Sequence, residues 1–237
     1  MAVRARDGDQ VAVIDARLAV LCVALGLVAC SSAPPVADWQ PNAKSSMDRA
    51  VAAYLAGDTR GASAEFDRSR TEISRTGRFD LLARAELMMC AAQVASLAFE
   101  PCAGFERLRA DAPPAERAYA DYLAARVAPE DVALLPPAQR AVAGKGITDE
   151  TAAAAVKGIE DPLSRLVGAG VLLQSGRASP AVATVAVETA SAQGWRRPLL
   201  AWLGVQRMRA EKAGDAGAAE RLRRQMDIVE QTPQAAR

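Results

Sequence analysis

The chain has 237 residues, a formal net charge of +1 and no histidine. The balanced charge gives no electrostatic reason to bind nucleic acid, and the absence of histidine excludes Ser-His-Asp and Cys-His catalytic groups and most zinc sites. Alanine occurs 54 times against 3 Trp, 3 Tyr and 4 Phe. Because alanine is the best helix former, we expect a mostly helical protein with a thin core and with no metal ion or cofactor.

The first segment of the chain is predicted to direct it to the cell envelope. The 12 residues 18–29 are uncharged, follow Arg17 and lead to Cys30 through the stretch "LVAC". Such a run is too short to span a bilayer, which takes roughly 20 residues, and is typical of a secretory signal. "LVAC" resembles a bacterial lipobox. The resemblance implies that residues 1–29 are a lipoprotein signal peptide and that Cys30 is the fatty-acylated (palmitate-bearing) lipidation site.

The residues after Cys30 indicate how the protein is held. Ser31 follows it, and in lipoproteins of this kind a serine rather than an aspartate implies sorting to the outer membrane. A triacylated cysteine carries enough acyl chains to hold a protein firmly. We therefore expect a protein on the periplasmic face of the outer membrane, bound to the membrane through a lipid anchor. Residues 30–44 are predicted to be a flexible tether, and residues 45–237 a helical domain.

Other interpretations of the first segment stay open. It could be an ordinary cleaved signal or a buried core helix, although neither explains the following "CSSAPP". The leader is also longer and more acidic than usual, because it holds Asp7, Asp9 and Asp15. Translation starting at Val11 or Val13 is therefore an alternative.

Residues 45–74 predict a pair of antiparallel helices. Apolar and small residues recur at helical spacing on both sides of a break at "GD". The residues that form this pattern are Ala50, Tyr54, Gly57, Ala62 and Phe66. Their order resembles the helix-turn-helix unit of tetratricopeptide repeats, in which glycine makes the turn, alanine allows close approach and the aromatic fills the groove. Segments 166–195 and 198–229 resemble the unit more loosely, with breaks at Gly176 and Gly214.

Further helices are predicted between these segments. They are a central helix at 79–99, a helix from Pro114, a short helix with a proline-rich corner at 129–144, and helices capped at Thr148 or Asp149 and at Asp161. The predicted fold class is all-α, with about nine to eleven helices. They should form antiparallel helical hairpins stacked as a short tetratricopeptide-like α-solenoid.

Two cysteines remain in the expected mature chain, Cys90 and Cys102. An even pair in an oxidising compartment favours a disulfide bond. Closing a loop of this length contributes about 3 kcal/mol in the chain-entropy model. Two buried free thiols are the alternative.

A basic and aromatic patch is the candidate site for binding a protein partner. Its predicted residues are Trp195, Arg196, Arg197, Arg223 and Arg224. Arginine and tryptophan are enriched at interaction hot spots, and these residues meet if the last helices are neighbours. The alternative is that Trp195 packs at a helix start while the arginines are solvated.

Two hypotheses of function follow from these observations. The first is a non-catalytic adaptor that binds a protein partner of the cell envelope, since stacked hairpins leave a concave surface. The second is an enzyme acting on peptidoglycan, or an activator of one, because glycoside cleavage needs only two carboxylates. The candidates for these are Glu65, Glu72 and Glu86, which otherwise form a solvated face paired with Arg68, Arg75 and Arg84. No catalytic residue is assigned.

Overall fold

The computed structural model describes residues 38–144 and 146–231. The predicted signal peptide, the predicted lipidation site Cys30 and the first part of the predicted tether lie outside the described residues. Within them the chain forms eleven α-helices and one 3-10 helix and no strand, which confirms the predicted all-α fold class. No helix in this part of the chain is both long enough and apolar enough to cross a membrane.

The helices follow one another with short connections. In chain order they are α1 (Trp39–Ala56), α2 (Thr59–Ser74), α3 (Phe79–Ala95), α4 (Ala103–Glu106), α5 (Pro114–Leu123), the 3-10 helix (Pro129–Leu134), α6 (Pro137–Ala143), α7 (Asp149–Lys157), α8 (Pro162–Gln174), α9 (Pro180–Ala192), α10 (Arg196–Lys212) and α11 (Ala216–Gln231).

Helices α1 and α2 form the first hairpin, and its turn lies where the sequence predicts it. Gly57 has a φ of 98°, a left-handed conformation that glycine adopts without a steric cost. The side chain of Asp58 caps α2 by accepting a hydrogen bond of 2.8 Å from the backbone N–H three residues on. Ala50 and Ala62 are buried between the helices, with Phe66 packed against them. The predicted pattern of residues therefore builds this hairpin.

Three later helices are also capped by side chains, and two of these caps, at Thr148 and Asp161, are predicted from the sequence. The side chains of Thr148, Asp161 and Ser179 accept hydrogen bonds of 3.4, 2.7 and 3.4 Å from the backbone N–H three residues on. Each cap satisfies one of the N–H groups that a helix leaves unpaired at its first turn. The starts of α7, α8 and α9 are therefore local properties of the sequence.

The first helix begins earlier than predicted. It starts at Trp39, so the last part of the predicted tether (30–44) is helical. Pro41 does not prevent this, because it is the third helical residue and the first four N–H groups of a helix have no intrahelical acceptor. Trp39 stabilises this turn by packing against a cluster that includes Ala43 and Ile73.

Helix α3 is central, as predicted. It packs against α1, α2, α5 and α8, and its approach to α8 is very close. A Cβ atom at Gly170 of α8 would lie only 2.4 Å from the carbonyl oxygen of Val94. Glycine at this position therefore permits the helix pair to form.

The same helix ends before the predicted limit of residue 99. Leu97 has a φ of 61°, and the indole N–H of Trp202 donates to the carbonyl oxygen of Ala95 at 3.1 Å. In a continuing helix that carbonyl would accept from the N–H of Phe99. The buried tryptophan of α10 thus takes the acceptor at the helix end.

The last helices return to the first hairpin. Helix α10 contacts α1 as well as its neighbours α9 and α11. At this contact the Nε of Arg197 donates to the carbonyl oxygen of Tyr54 at 2.7 Å, and its second amino group donates to Thr59 at 2.7 Å. The hairpins therefore pack one after another along the chain, and α10 also contacts the first hairpin.

Candidate functional site

The predicted partner-binding residues at the start of α10 face the protein itself. Trp195 is half-buried and packs against two clusters of the core. Arg196 donates to the carbonyl oxygen of Glu230 on α11 at 2.8 Å. The guanidinium of Arg197 lies 4.2 Å from the centroid of the Tyr54 ring. Arg196 and Arg197 thus bind α11 and α1, and Trp195 packs on the core, so all three side chains contact the protein itself.

The two predicted residues on α11 lie elsewhere. Arg223 pairs with Glu220 and Asp227, each at 2.8 Å, and Arg224 pairs with Glu220 at 3.3 Å. Arg223 also lines a small cavity near the turn at Gly214, between α10 and α11. Arg196 contacts the other end of the same pair of helices. The structure thus separates the five residues into two places, and their binding of a partner stays a prediction.

The disulfide bond predicted from the two cysteines is present. Cys90 on α3 and Cys102 just before α4 are bonded, with their Cα atoms 5.9 Å apart. The bond joins the central helix to the loop that leads into α4.

Two of the three predicted glutamate pairs are observed. Glu65 pairs with Arg68 at 2.6 Å and Glu72 with Arg75 at 2.9 Å, each within one turn of α2. The interpretation of Glu86 as a solvated residue is wrong, because it is 7% exposed.

Glu86 instead forms a partly buried ion pair that joins α3 to α2. Its carboxylate lies 3.0 Å from Arg70 of α2, and it fills the space beside Gly104, where a Cβ atom would lie 1.8 Å from Oε2. Burial raises the pKa of Glu86, while the charges of Arg70 and Arg107 offset part of that effect.

Arg84, which the sequence predicts to pair with Glu86, pairs with Glu116 instead. Arg84 donates its Nε hydrogen to Oε1 of Glu116 at 2.5 Å. Glu116 is 6% exposed, and its Oε2 is buried without a hydrogen-bond partner among the described residues. Buried polar atoms of this kind are uncommon.

Glu116 lines an open cavity of about 380 Å³, which we call the Glu116 cavity. The walls come from α3, α5 and the proline corner after the 3-10 helix. They are formed by Arg84, Leu87, Met88, Ala115, Glu116, Tyr119, Leu134, Leu135 and Pro136. Apart from Arg84 and Glu116 these walls are mostly apolar, although Met88 and Leu134 are 43% and 41% exposed.

A second cavity lies beside the first, on the side of the first hairpin. This Trp39 cavity has a volume of about 400 Å³ and lies between α1, α2 and α3. Trp39, Met47, Ile73 and Leu81 are among its lining residues, and Arg84 and Met88 line both cavities. The two cavities therefore adjoin at Arg84 and Met88, and because most of their lining residues are apolar we call them together the apolar groove.

The sequence explains where Glu116 lies but gave no sign of the groove. Pro113 precedes α5 and Pro114 is its first residue, which suits the fixed φ of proline. Glu116 therefore lies in the first turn, where the helix dipole favours a carboxylate. Only the stretch "LLPP" at 134–137 could have been a signal, because the prolines interrupt the chain's regular structure directly after two large apolar residues, of which Leu135 is buried and Leu134 is 41% exposed.

The described residues offer no evident metal centre. Within 38–144 and 146–231, no group of three or more His, Cys, Asp or Glu side chains is placed to hold a metal ion. The chain matches no protein-family model, no curated protein and no solved structure.

Proposed function

We propose that the chain is a lipoprotein anchored to the outer membrane, which acts in the periplasm as a non-catalytic protein–protein interaction adaptor in cell-envelope assembly or maintenance. The observation that carries the adaptor role is the apolar groove. Its two cavities share Arg84 and Met88, and Met88 and Leu134 leave much of their apolar surface open. Apolar patches rimmed by polar residues mark interaction sites.

The lipid anchor is supported by the sequence "LVAC" and by the Cys90–Cys102 disulfide bond. Disulfide bonds are typical of oxidising compartments such as the periplasm. Because an extended chain spans at most about 3.6 Å per residue, the nine Cα–Cα steps from Cys30 to Trp39 would hold one end of the groove within about 30 Å of the lipid. A partner in the groove would thus be kept near the membrane.

The peptidoglycan-acting alternative has less support. Cleavage of a glycosidic bond needs two carboxyl groups that flank it. Glu86, the buried glutamate with a raised pKa, lines neither cavity of the groove. Glu116 lies in the groove but is bonded to Arg84. The release of muropeptides from purified peptidoglycan by the protein would favour this alternative over the adaptor.

Photo-crosslinking in intact cells tests the adaptor role. A photo-reactive amino acid is placed at Met88, inside the groove, and in a second strain at Met208. Met208 is the matched control, because it is a methionine with 57% exposure on α10, outside the groove. We expect a discrete crosslinked partner from position 88 and none from position 208. Equal crosslinking from both positions, or none from position 88, contradicts the proposal.

The lipid anchor has its own test. Replacing Cys30 by serine should move the protein from the membrane fraction to the periplasmic fraction, since the acylated thiol is lost. Mass spectrometry of the unaltered protein should find an acylated cysteine as the first residue. An intact leader, or an unmodified first residue beyond position 30, contradicts this part of the proposal.

A further inference from the structure

We propose that the apolar groove binds an acidic amphipathic segment of the partner protein, whose apolar face covers the groove and whose carboxylates pair with Arg78 and Arg84. The inference rests on the proposed adaptor function and names the chemistry of the partner that the groove accepts. The sign of the charges on the walls of the groove and the spacing between them point to this partner.

The charged side chains on the walls of the Trp39 cavity are all basic. They belong to Lys44, Arg78 and Arg84, and no acidic residue is among the described residues that line this cavity. These side chains are 77%, 56% and 64% exposed, so a molecule in the groove can reach them. In the adjoining cavity the acidic residue Glu116 is buried. The accessible charge of the groove is therefore positive, which favours an acidic partner.

The aspartates that already pair with two of these residues can be shared or replaced. Lys44 pairs with Asp48 at 2.6 Å. Arg78 pairs with Asp80, also at 2.6 Å. Neither aspartate lines the groove, and exposed pairs of this kind contribute little to stability. A carboxylate that a partner brings into the groove can therefore bind the same cations at a small cost.

Arg84 offers the most specific contact, because part of its guanidinium is unused. Its Nε hydrogen is donated to Glu116, while its two NH2 groups make no hydrogen bond with the described residues. A guanidinium presents its donors as a planar fork that can hold a carboxylate through two parallel hydrogen bonds. Because Arg84 lines both cavities, a carboxylate bound to it lies where the cavities adjoin.

The spacing of the basic residues favours a polypeptide over an anionic lipid. Arg78 is the residue just before α3, and Arg84 is six residues further along, which corresponds to about 9 Å at a rise of about 1.5 Å per residue. A lipid brings one headgroup to the groove. A helix with acidic residues six or seven positions apart brings two carboxylates at a comparable spacing.

Apolar side chains supply the rest of the binding surface. Trp39, Met47 and Ile73 line the Trp39 cavity, and Leu87 and Leu134 line the Glu116 cavity. An open apolar surface of this kind accepts the apolar face of an amphipathic helix. The apolar contacts then supply affinity, while the basic residues choose the partner and set its orientation.

The test uses the full-length mature protein in vesicles of phosphatidylcholine, whose headgroups carry no net charge, and a random library of displayed peptides. Peptides that bind empty vesicles are removed first. We expect the selected peptides to be enriched in aspartate and glutamate as well as in apolar residues. A synthetic copy of a selected peptide should bind more weakly as the salt concentration rises from about 0.1 M to about 1 M, because salt screens exposed charges.

Variants of the protein locate the contacts. Arg84→Gln should bind the acidic peptide about tenfold more weakly, because a charge-assisted hydrogen bond is lost. A copy of the peptide with amides in place of its acids should not distinguish the variant from the unaltered protein. Arg68→Gln is the matched control and should bind both peptides normally, since Arg68 is 66% exposed, pairs with Glu65 within α2 and lines neither cavity.

The variant Arg78→Gln serves if Arg84→Gln does not fold, because the latter leaves the buried Glu116 without its partner. Arg78 pairs with an exposed aspartate, so its replacement should not disturb the fold. It should weaken the binding of the acidic peptide and not that of the amide copy.

Four outcomes overturn the inference. They are selection without acidic enrichment, an affinity for the acidic peptide that does not change with salt, unchanged binding of that peptide by whichever arginine variant folds, and displacement of the peptide by an equal concentration of oleate, which would assign the groove to an anionic lipid. A partner crosslinked from Met88 combined with any of these would keep the adaptor function and reject only this inference. The absence of that crosslink would reject the proposed function itself.

Discussion

Arg197 joins the last part of the chain to the first hairpin. Its Nε donates to the carbonyl oxygen of Tyr54, 143 positions earlier, and its second amino group donates to Thr59. The guanidinium also lies 4.2 Å from the centroid of the Tyr54 ring, within the range of a cation–π interaction. Arg197, which the sequence predicts to bind a partner, therefore makes contacts that hold α10 against the first hairpin.

Replacing Arg197 by alanine should lower the free energy of unfolding by about 1–3 kcal/mol, because two charge-assisted hydrogen bonds and a cation–π contact are lost. Urea unfolding of the purified variant measures this. Arg224→Ala is the control, since an exposed ion pair such as that of Arg224 with Glu220 contributes little to stability. Equal destabilisation by both variants would show that the contacts of Arg197 with the first hairpin contribute no more to stability than an exposed ion pair does.

The buried carboxyl group of Glu86 makes the free energy of unfolding depend on pH. Burial raises its pKa above the ordinary value of 4.5, so the folded protein binds this proton more tightly than the unfolded chain does. Protonation of Glu86 therefore favours folding. This contribution is complete below a pH of about 4.5 and is lost as the pH rises through the raised pKa.

Glu86→Gln should imitate the protonated acid. The free energy of unfolding of the variant, relative to the unaltered protein, should therefore increase between a pH of about 4 and about 7. Glu65→Gln should show the opposite trend at lower pH, because the hydrogen bond from Arg49 lowers the pKa of Glu65 below 4.5. The stabilising effect of ionised Glu65 is complete above a pH of about 4.5 and is lost as the pH falls through the lowered pKa. Urea midpoints measured from a pH of about 3 to about 7 follow both trends, that of Glu65 below a pH of about 4.5 and that of Glu86 above it. The same trend in both variants would be evidence against the assigned burial of Glu86.

At the scale of elements, the contact of α3 with α8 depends on one missing side chain. A Cβ atom at Gly170 would lie 2.4 Å from the carbonyl oxygen of Val94, and backbone cannot move aside as a flexible side chain can. Gly204 on α10 is the opposite case, because a Cβ atom there would meet nothing within 4 Å.

Gly170→Ala should therefore destabilise the protein by about 1–3 kcal/mol, the usual cost of overpacking a core. Gly204→Ala should stabilise it by about 0.5–1 kcal/mol, since alanine loses less backbone freedom in a helix. Thermal unfolding of the two variants compares the same chemical change at two sites. Stabilisation by Gly170→Ala would mean that the two helices are farther apart than described.

The elements themselves could be predicted because their signals are local. Gly57 makes a turn and Asp161 caps a helix through atoms only a few residues away. The pairing of Arg84 with Glu116 spans 32 positions, and nothing in the sequence says which of its 29 Lys and Arg residues reaches this carboxylate. For that reason the helices and the first hairpin were predictable, while the groove and the return of α10 were not.

At the scale of the whole molecule, the contacts of α10 make the described domain one packed unit. Trp202 is fully buried and donates to the carbonyl oxygen of Ala95 at the end of α3, while Arg197 of the same helix binds Tyr54 of α1. In an open stack each hairpin contacts only its neighbours, and distant hairpins can unfold separately. Here α1, α3 and α10 should open together.

Replacing Trp202 by phenylalanine tests this coupling. The change leaves the carbonyl of Ala95 without the indole donor and opens space in the core, so we expect a loss of about 2–4 kcal/mol. Met208→Ala is the control on the same helix; its side chain is 57% exposed, and the loss should stay within about 0.5 kcal/mol. Hydrogen exchange measured by mass spectrometry should show faster exchange in α1 as well as in α10 for the first variant. Faster exchange confined to α10 and α11 would instead indicate hairpins that unfold independently, as in an open solenoid.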